Sequence, residues 1–432
     1  MPARPFLAAL LAVFPALSLA DIAIPDTPPG RALGAWLDAF NSGDRARLEV
    51  FTRTYLPGRN PDDYRRWREE VGGYDLLEIY SHDKTNIFFH VKARANAVDE
   101  VGRVTVDAAN PMSVTSLGSR RMPPGAKVDV VALDAAARAK LVERVAVAFD
   151  SSYVYPETGK KLSAALRTSS TRGEFRKFVY GEDLARELTA DLQRISHDKH
   201  AEVRFSYFAQ PEEAPAKRAD MDARWLASIN CGFEKAEHLR PNIGYVKLDM
   251  FADTSVCAPT ASAAMNFVAS TDALILDLRD NRGGGGGMVE FIASYLFAGR
   301  THLDDLFSRT DNATKETWTL PDVPGKKFVG KPVYVLTSNK TFSAAEYFSN
   351  VLKNLKRVTL IGETTGGGAH TVENRRIDDH FMVRVPSGRP ITKTDWEGTG
   401  VEPDVKVAAG EALEAAQKLA MEEINKNRVS TQ

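Results

Sequence analysis

The chain has 432 residues, enough for two or three domains, each with an ample core. Lys and Arg (56) nearly balance Asp and Glu (57), so no bulk field draws nucleic acid or an anionic membrane to it. With 26% charged and 43% hydrophobic residues, the composition is that of an ordinary globular protein.

Residues 1–20, MPARPFLAALLAVFPALSLA, carry Arg4, an apolar run from Phe6 to Leu17 and small residues at Ser18 and Ala20. This is the pattern of a secretory signal peptide cleaved after Ala20. The run is short for a membrane span, and no Cys follows the cleavage site to accept a lipid. The expectation is export, periplasmic or secreted, with no membrane insertion once the signal is removed. The chain has two cysteines, Cys231 and Cys257. In an exported protein an isolated pair is expected to bridge, with a strand at 243–248 bringing the ends together. Two separate buried thiols are the alternative.

After a Pro-containing linker at 25–29, residues 21–128 read as a small α+β domain. A helix over 31–51 is interrupted at 41–44, another runs from Pro61 through Trp67, and strands follow at 74–80, 86–93 and 102–107. The segment LDAFNSGD, from Leu37 to Asp44, resembles the first helix of nuclear-transport-factor-two-like domains. His82 and His90 read as surface or sheet residues. Met122-Pro123-Pro124-Gly125 marks a boundary.

Residues 134–220 read as a helical lead-in, with helices at 141–149 and 172–194 and a helix end at Tyr153-Val154-Tyr155-Pro156. Its last loop carries His197 and His200 into a strand at 201–207. From 221 to 408, buried strands at 245–248, 273–278, 333–336 and 358–361 alternate with helices near 261–270, 288–297 and 343–355. That alternation predicts a parallel or mixed α/β core. A charged amphipathic helix over 409–427, within a terminal segment 409–432, closes the chain.

Two stretches of this core carry chemistry. Ser343 stands at the mouth of a helix that follows a buried strand, where the positive helix end favours developing negative charge. Ser343-Ala344-Ala345-Glu346 also fits a capping box, so the residue reads as a cap or as a nucleophile. Asp277-Leu278-Arg279-Asp280-Asn281-Arg282 leads into glycines 283–287 at the end of another buried strand. A phosphate cradle, an oxyanion hole and a flexible turn all fit the glycines, but no Gly-Lys-Ser/Thr follows. His197 and His200 lack a metal-binding HExxH or a Cys pair, so no metal or cofactor is expected.

The segments DLRDNRGG, TFSAAEYF, GETTGGGAH and WEGTGVEPD, in this order, resemble the serine peptidase family of C-terminal processing peptidases and tricorn core protease. RISHDKHAEVRF and the Tyr153–Pro156 lead-in resemble its bacterial branch related to interphotoreceptor retinoid-binding protein. The likeness covers about residues 134–406. It implies an α/β mixed-sheet catalytic core of ClpP/crotonase-like type, with the helical lead-in and the separate small N-terminal α+β domain.

The resemblance implies Ser343 as nucleophile, with the amides of Gly283 and Ala344 as oxyanion donors; the glycine turn by itself leaves Gly283 or Gly284 open for that role. Processing peptidases place a base lysine where this chain has Gly368, so a Ser–Lys dyad is excluded by its own residues. The tricorn-like arrangement implies His200 as base, supported by Glu397; His370 is the alternative base. The Ser that precedes the tricorn histidine is here Lys199, and there is neither room nor pattern for a PDZ domain between His200 and Asn230. The implied function is hydrolysis of a peptide or protein substrate through an acyl-enzyme. The alternative is a non-catalytic protein of the same fold that carries a hydrophobic ligand or peptide.

Overall fold

The computed structural model describes residues 22–123, 125–210, 223–391 and 395–430. The signal segment read at 1–20 lies outside them. The chain forms two compact units, 1–130 and 131–432.

In the first unit, helices α1 (Pro28–Ser42), α2 (Arg45–Tyr55) and α3 (Pro61–Val71) precede an antiparallel meander of β1 (Tyr74–His82), β2 (Asn86–Ala93), β3 (Asp99–Val106) and β4 (Val114–Arg121). The interruption at 41–44 has a local cause. Gly43 ends α1 with φ 67°, and the Asp44 carboxylate caps α2 by accepting from Ala46 N. Trp36 and Phe40 of α1 pack on Tyr74 and Phe89 of the sheet, with ring centroids 5.2–5.8 Å apart in this cluster. Strand β4, VTSLGSRR, has no apolar run of its own; its ladder to β3 makes it a strand.

The second unit opens with α4 (Ala135–Ser152), α5 (Pro156–Arg172) and α6 (Gly181–Ser196). Pro156 starts a helix as well as following one, because proline suits the first helical turn where the N–H has no partner. The helix expected over 172–194 is narrowed to α6: Gly173 takes φ 76°, and a 3-10 turn fills 174–177.

The remaining strands are β5 (Glu202–Phe205), β6 (Phe233–Leu239), β7 (Ile243–Leu248), β8 (Ala273–Asp277), β9 (His302–Ser308), β10 (Ala313–Trp318), β11 (Val333–Thr337), β12 (Thr359–Gly362), β13 (Thr371–Arg376), β14 (Phe381–Pro390) and β15 (Val405–Lys406). The helices among and after them are α7 (Thr254–Val268), α8 (Gly286–Ser294), α9 (Ala344–Asn354) and α10 (Ala412–Ser430).

A six-stranded mixed sheet has the order β15-β12-β11-β8-β7-β6, parallel except at β6. Both its faces are covered, which explains its unbroken apolar strands. Leu274, Leu276, Val333 and Val335 join the core formed with α7, α8 and α9. Ile275, Tyr334 and Leu336 point the other way, against Ala412, Ala416, Ala420 and Ile424 of α10. An antiparallel sheet of order β10-β9-β14-β13, with β5 paired to β14, stands beside it in sequence order.

Cys231 and Cys257 form a disulfide, their Cα atoms 5.6 Å apart across a sequence separation of 26. It ties the approach to β6 to helix α7; closing a loop of this length removes unfolded-state entropy worth about 3–4 kcal/mol. Among the described residues no helix is long and apolar enough to cross a membrane.

Candidate active site

The site gathers at the carboxyl ends of the parallel strands β8 and β11, where crevices of open α/β sheets form. Strand β8 runs into the glycine turn, and each polar residue of DLRDN fixes that turn. Asp277 is fully buried; it accepts from Arg279 and from Tyr245 Oη at 2.7 Å. Asn281, also fully buried, donates to Leu248 O at 2.9 Å and accepts from Gly283 N at 2.8 Å. Its carbonyl accepts from Phe342 N at 3.0 Å, which brings the serine turn onto the glycine turn.

Ser343 is the N-cap residue of α9, so both readings of its sequence meet on one residue. The Glu346 half of the capping box is formed, Oε2 accepting from Ser343 N at 2.9 Å. The backbone, however, has φ 56° and ψ −121°, outside the extended conformation of ordinary caps. A non-glycine residue held there carries strain of about 1–3 kcal/mol, of the kind that accumulates at functional turns. Sharp strand-to-helix elbows present nucleophilic serines in this way. Gly283, with φ 99°, makes the close approach possible: a Cβ on it would lie 2.7 Å from Ser343 Cβ.

Ser343, His200, His370, Gly284, Ala344 and Tyr347 line one cavity of about 360 Å³. The Gly284 and Ala344 amides have no hydrogen-bond partner among the described residues, so both are free to meet an oxyanion. The Gly283 amide is committed to Asn281. Of the three glycine and alanine positions read as oxyanion donors, Gly283 therefore serves by its lack of a side chain.

His200 is 1% exposed, and its ring lies 4.6 Å from that of Phe342, the residue before Ser343. Neither of its ring nitrogens has a hydrogen-bond partner; Nδ1 is 3.7 Å from Asp198 Oδ1. A Cβ on Gly368 would come within 2.7 Å of His200 Cε1 and 2.4 Å of the Phe342 ring. A side chain at 368 and the His200 imidazole thus compete for one space, which is the physical reason a lysine has no place there.

His370 is held differently. Its Nδ1 is 2.6 Å from Asp198 Oδ2 and 3.5 Å from Glu397 Oε2, while Nε2 is unpartnered. Burial by itself would lower its pKa, but the Asp198 hydrogen bond and the charges of Asp198 and Glu397 outweigh burial and raise it. Burial would likewise raise Asp198, yet the two histidines hold it well below the usual carboxylate range. Burial and the nearby Asp198 charge push Glu397 up to about 7, against the pull of His370. Glu397 Oε2 accepts from Ala369 N at 2.6 Å and His370 N at 3.2 Å. Glu397 therefore sits with His370, and Asp198 joins it to His200. Asp198, His370 and Glu397 bring ligand-type atoms within 4.8 Å of one another. The short His370–Asp198 contact uses one of the ring nitrogens a cation would need.

The sequence reading missed Asp198, and it named Glu346 and Lys199 without the loop contacts they make. Asp198 bridges the histidines, and also accepts from His200 N at 2.9 Å and Tyr153 Oη at 3.2 Å; the Asp-Lys-His spacing was its only signal. Glu346, fully buried, accepts from Gly367 N and Gly368 N at 2.7 Å as well as from Ser343 N. Thr365 Oγ1 donates to its other side at 2.5 Å. It therefore holds the 365–368 loop beneath the site, a role a capping box does not announce. Lys199, in place of the tricorn serine, donates to Gly366 O of the same loop.

A strained serine beside free amides and a pair of histidines is the equipment of a serine-type peptidase. Residues 242–407 match the model of peptidase family S41, and 127–230 match that of the N-terminal domain of the S41 peptidase in eukaryotic IRBP. The chain belongs to peptidase family S41. It is 26% identical over 184 residues to carboxyl-terminal-processing peptidase 1, chloroplastic, of Arabidopsis thaliana, covering 41% of this chain and 36% of that protein. It is 29% identical over 169 residues to carboxy-terminal processing protease CtpA of Bacillus subtilis, covering 38% and 35%. The chain thus spans about a third of the length of these curated relatives. A putative peptidase from Parabacteroides merdae aligns in structure with a TM-score of 0.48 at 19% identity, covering 66% of this chain and 96% of that one.

Proposed function

We propose that the protein is an exported serine peptidase. Ser343 Oγ attacks the substrate carbonyl carbon, and His200 takes the hydroxyl proton. The Gly284 and Ala344 amides hold the oxyanion. His200 returns the proton to the departing amine, and water, activated by the same imidazole, releases the acyl group from Ser343. The observation that carries this reading is the Ser343 backbone, held at φ 56° and ψ −121° against Gly283 in the cavity that both histidines line. His200 is favoured as the base because its ring lies against Phe342, the neighbour of Ser343, with both nitrogens unpartnered, whereas His370 Nδ1 is held by Asp198.

A fluorophosphonate probe is expected to label the purified protein, and Ser343→Ala is expected to abolish labelling. No labelling of folded protein would favour a binding role on the same fold. Export is supported by the N-terminal pattern and the disulfide. Chain recovered from a cell envelope or medium is expected to begin at Asp21; an intact Met1 there would refute export by this signal.

The Glu397 carboxyl gives a pH prediction. Its folded pKa, about 7, lies above the unfolded carboxyl value, so the folded state binds the extra proton in that window. Its stabilising contribution is complete below the unfolded pKa and is lost as pH rises through about 7. Unfolding by urea is expected to show stability lower at pH 8 than at pH 5 by about 2–3 kcal/mol. Glu397→Gln, which still accepts from Ala369 and His370, should remove most of that difference. A Gln variant with the full wild-type slope would show that Glu397 is not its source.

A further inference from the structure

The mechanism leaves two cations of the cavity unused. Arg384, on β14, and Arg282, in the glycine turn, both line it, and among the described residues lining it none is Asp or Glu. Arg384 reaches Glu202 Oε2 at 3.4 Å, longer than a charge-assisted hydrogen bond. The same oxygen is already held by Arg204 at 2.9 Å. Among the described residues the Arg384 guanidinium has no other hydrogen-bond partner, which leaves donors available to a ligand. The Arg282 side chain has no hydrogen-bond or ion-pair partner among the described residues and is exposed. Desolvation and the charge of Arg204 lower the Arg384 pKa, outweighing the opposing charges of Glu202 and Asp198.

Among the acids of the site, Asp198 acts on Arg384 only at a distance, through its charge. Asp198 and Glu397 face His370, and Glu346 faces the amides of the 365–368 loop. Leu306, Val372 and Tyr347 wall the rest of the cavity with apolar or aromatic surface, which strengthens a charge interaction by excluding water. A planar guanidinium on a strand, next to a nucleophile, is suited to bidentate capture of a carboxylate.

We propose that this cavity selects peptides that present a carboxylate to Arg384, beside the bond Ser343 attacks. The proposal deepens the peptidase reading and rests on it. An acidic side chain is the carboxylate assigned; a free peptide C-terminus offers the same chemistry. Lysine at that place in a substrate meets two like charges and is rejected.

Binding to the Ser343→Ala protein tests this without turnover. The probes are fluorescein-labelled, C-terminally amidated hexapeptides identical except for one central Glu, Gln or Lys, with a fourth, all-Ala peptide bearing a free C-terminus. Fluorescence anisotropy is expected to show the Glu peptide binding at least tenfold tighter than its Gln counterpart, with the Lys peptide weakest. Adding Arg384→Gln should erase the Glu preference, and Arg384→Lys should retain part of it. Equal binding of Glu and Gln peptides, no binding of any, or a preference that survives Arg384→Gln would overturn the proposal. Tight binding of the free C-terminus alone would overturn the side-chain assignment. Fluorophosphonate labelling of wild type separates the two readings. A Glu preference without labelling sinks the peptidase, and labelling without a Glu preference sinks this selectivity.

Discussion

His200→Ala is expected to lower kcat/KM on a cleaved peptide by about a thousandfold or more, the scale of losing a positioned general base. A serine hydroxyl at neutral pH is a poor nucleophile without one. His200 lies over Phe342, one residue from Ser343, with both ring nitrogens unspent. A Cβ at 368 would lie 2.7 Å from its ring, so His200 fills the space a side chain there would need. His370→Asn should cost less in the chemical step. Its cost should appear in folding, because Asp198, buried, would lose the imidazole 2.6 Å away. Steady-state kinetics and urea unfolding of the two variants separate these effects. If His370→Asn cuts kcat more deeply than His200→Ala while the protein stays folded, the base assignment is reversed.

Glu346→Ala is expected to destabilise the second unit by about 3–5 kcal/mol and to abolish activity, because it leaves several buried donors unpaired. The donors are the amides of Ser343, Gly367 and Gly368 and the hydroxyl of Thr365. Burial raises the Glu346 pKa, and these four hydrogen bonds oppose it. Glu346→Gln is the sharper experiment. An amide has one acceptor oxygen where the carboxylate has two, so one pair of donors must face an NH₂ group. Fluorophosphonate labelling should slow even where circular dichroism reports a folded protein, since the 365–368 loop supports the Gly368 floor under His200. Wild-type labelling and unchanged unfolding in Glu346→Gln would show that the loop holds itself.

Serine-type chemistry was legible because its signals are local. A strand, a turn and a capping pattern place Ser343 at a helix mouth, and glycines after DLRDN mark a turn where the backbone must come close. The buried parallel strands were legible for a related reason. Covered on both faces, they are buried at every position and apolar until their last residue, as in ALILD of β8 and VYVLT of β11. The antiparallel strands were less so. HLDDLFS, ATKETW and TVENRR, the sequences of β9, β10 and β13, are polar and partly exposed. Their strand state comes from ladders to neighbouring strands, β9 with β10 and β13 with β14, rather than from an apolar pattern.

What the sequence determined by itself was therefore the alternation of strands and helices, the elbow at Ser343, the glycine turn and the exclusion of a lysine base. What only the tertiary structure decided was the company the charged groups keep. Asp198 and His370 meet across 172 residues, and Glu346 reaches a loop 21 residues on. Arg384 faces the cavity because β14 pairs with β5 and β13. Local pattern fixes which way a residue points along its own element. Charge balance depends on which other elements arrive there, and at low dielectric that arrival shifts how readily His370 holds a proton.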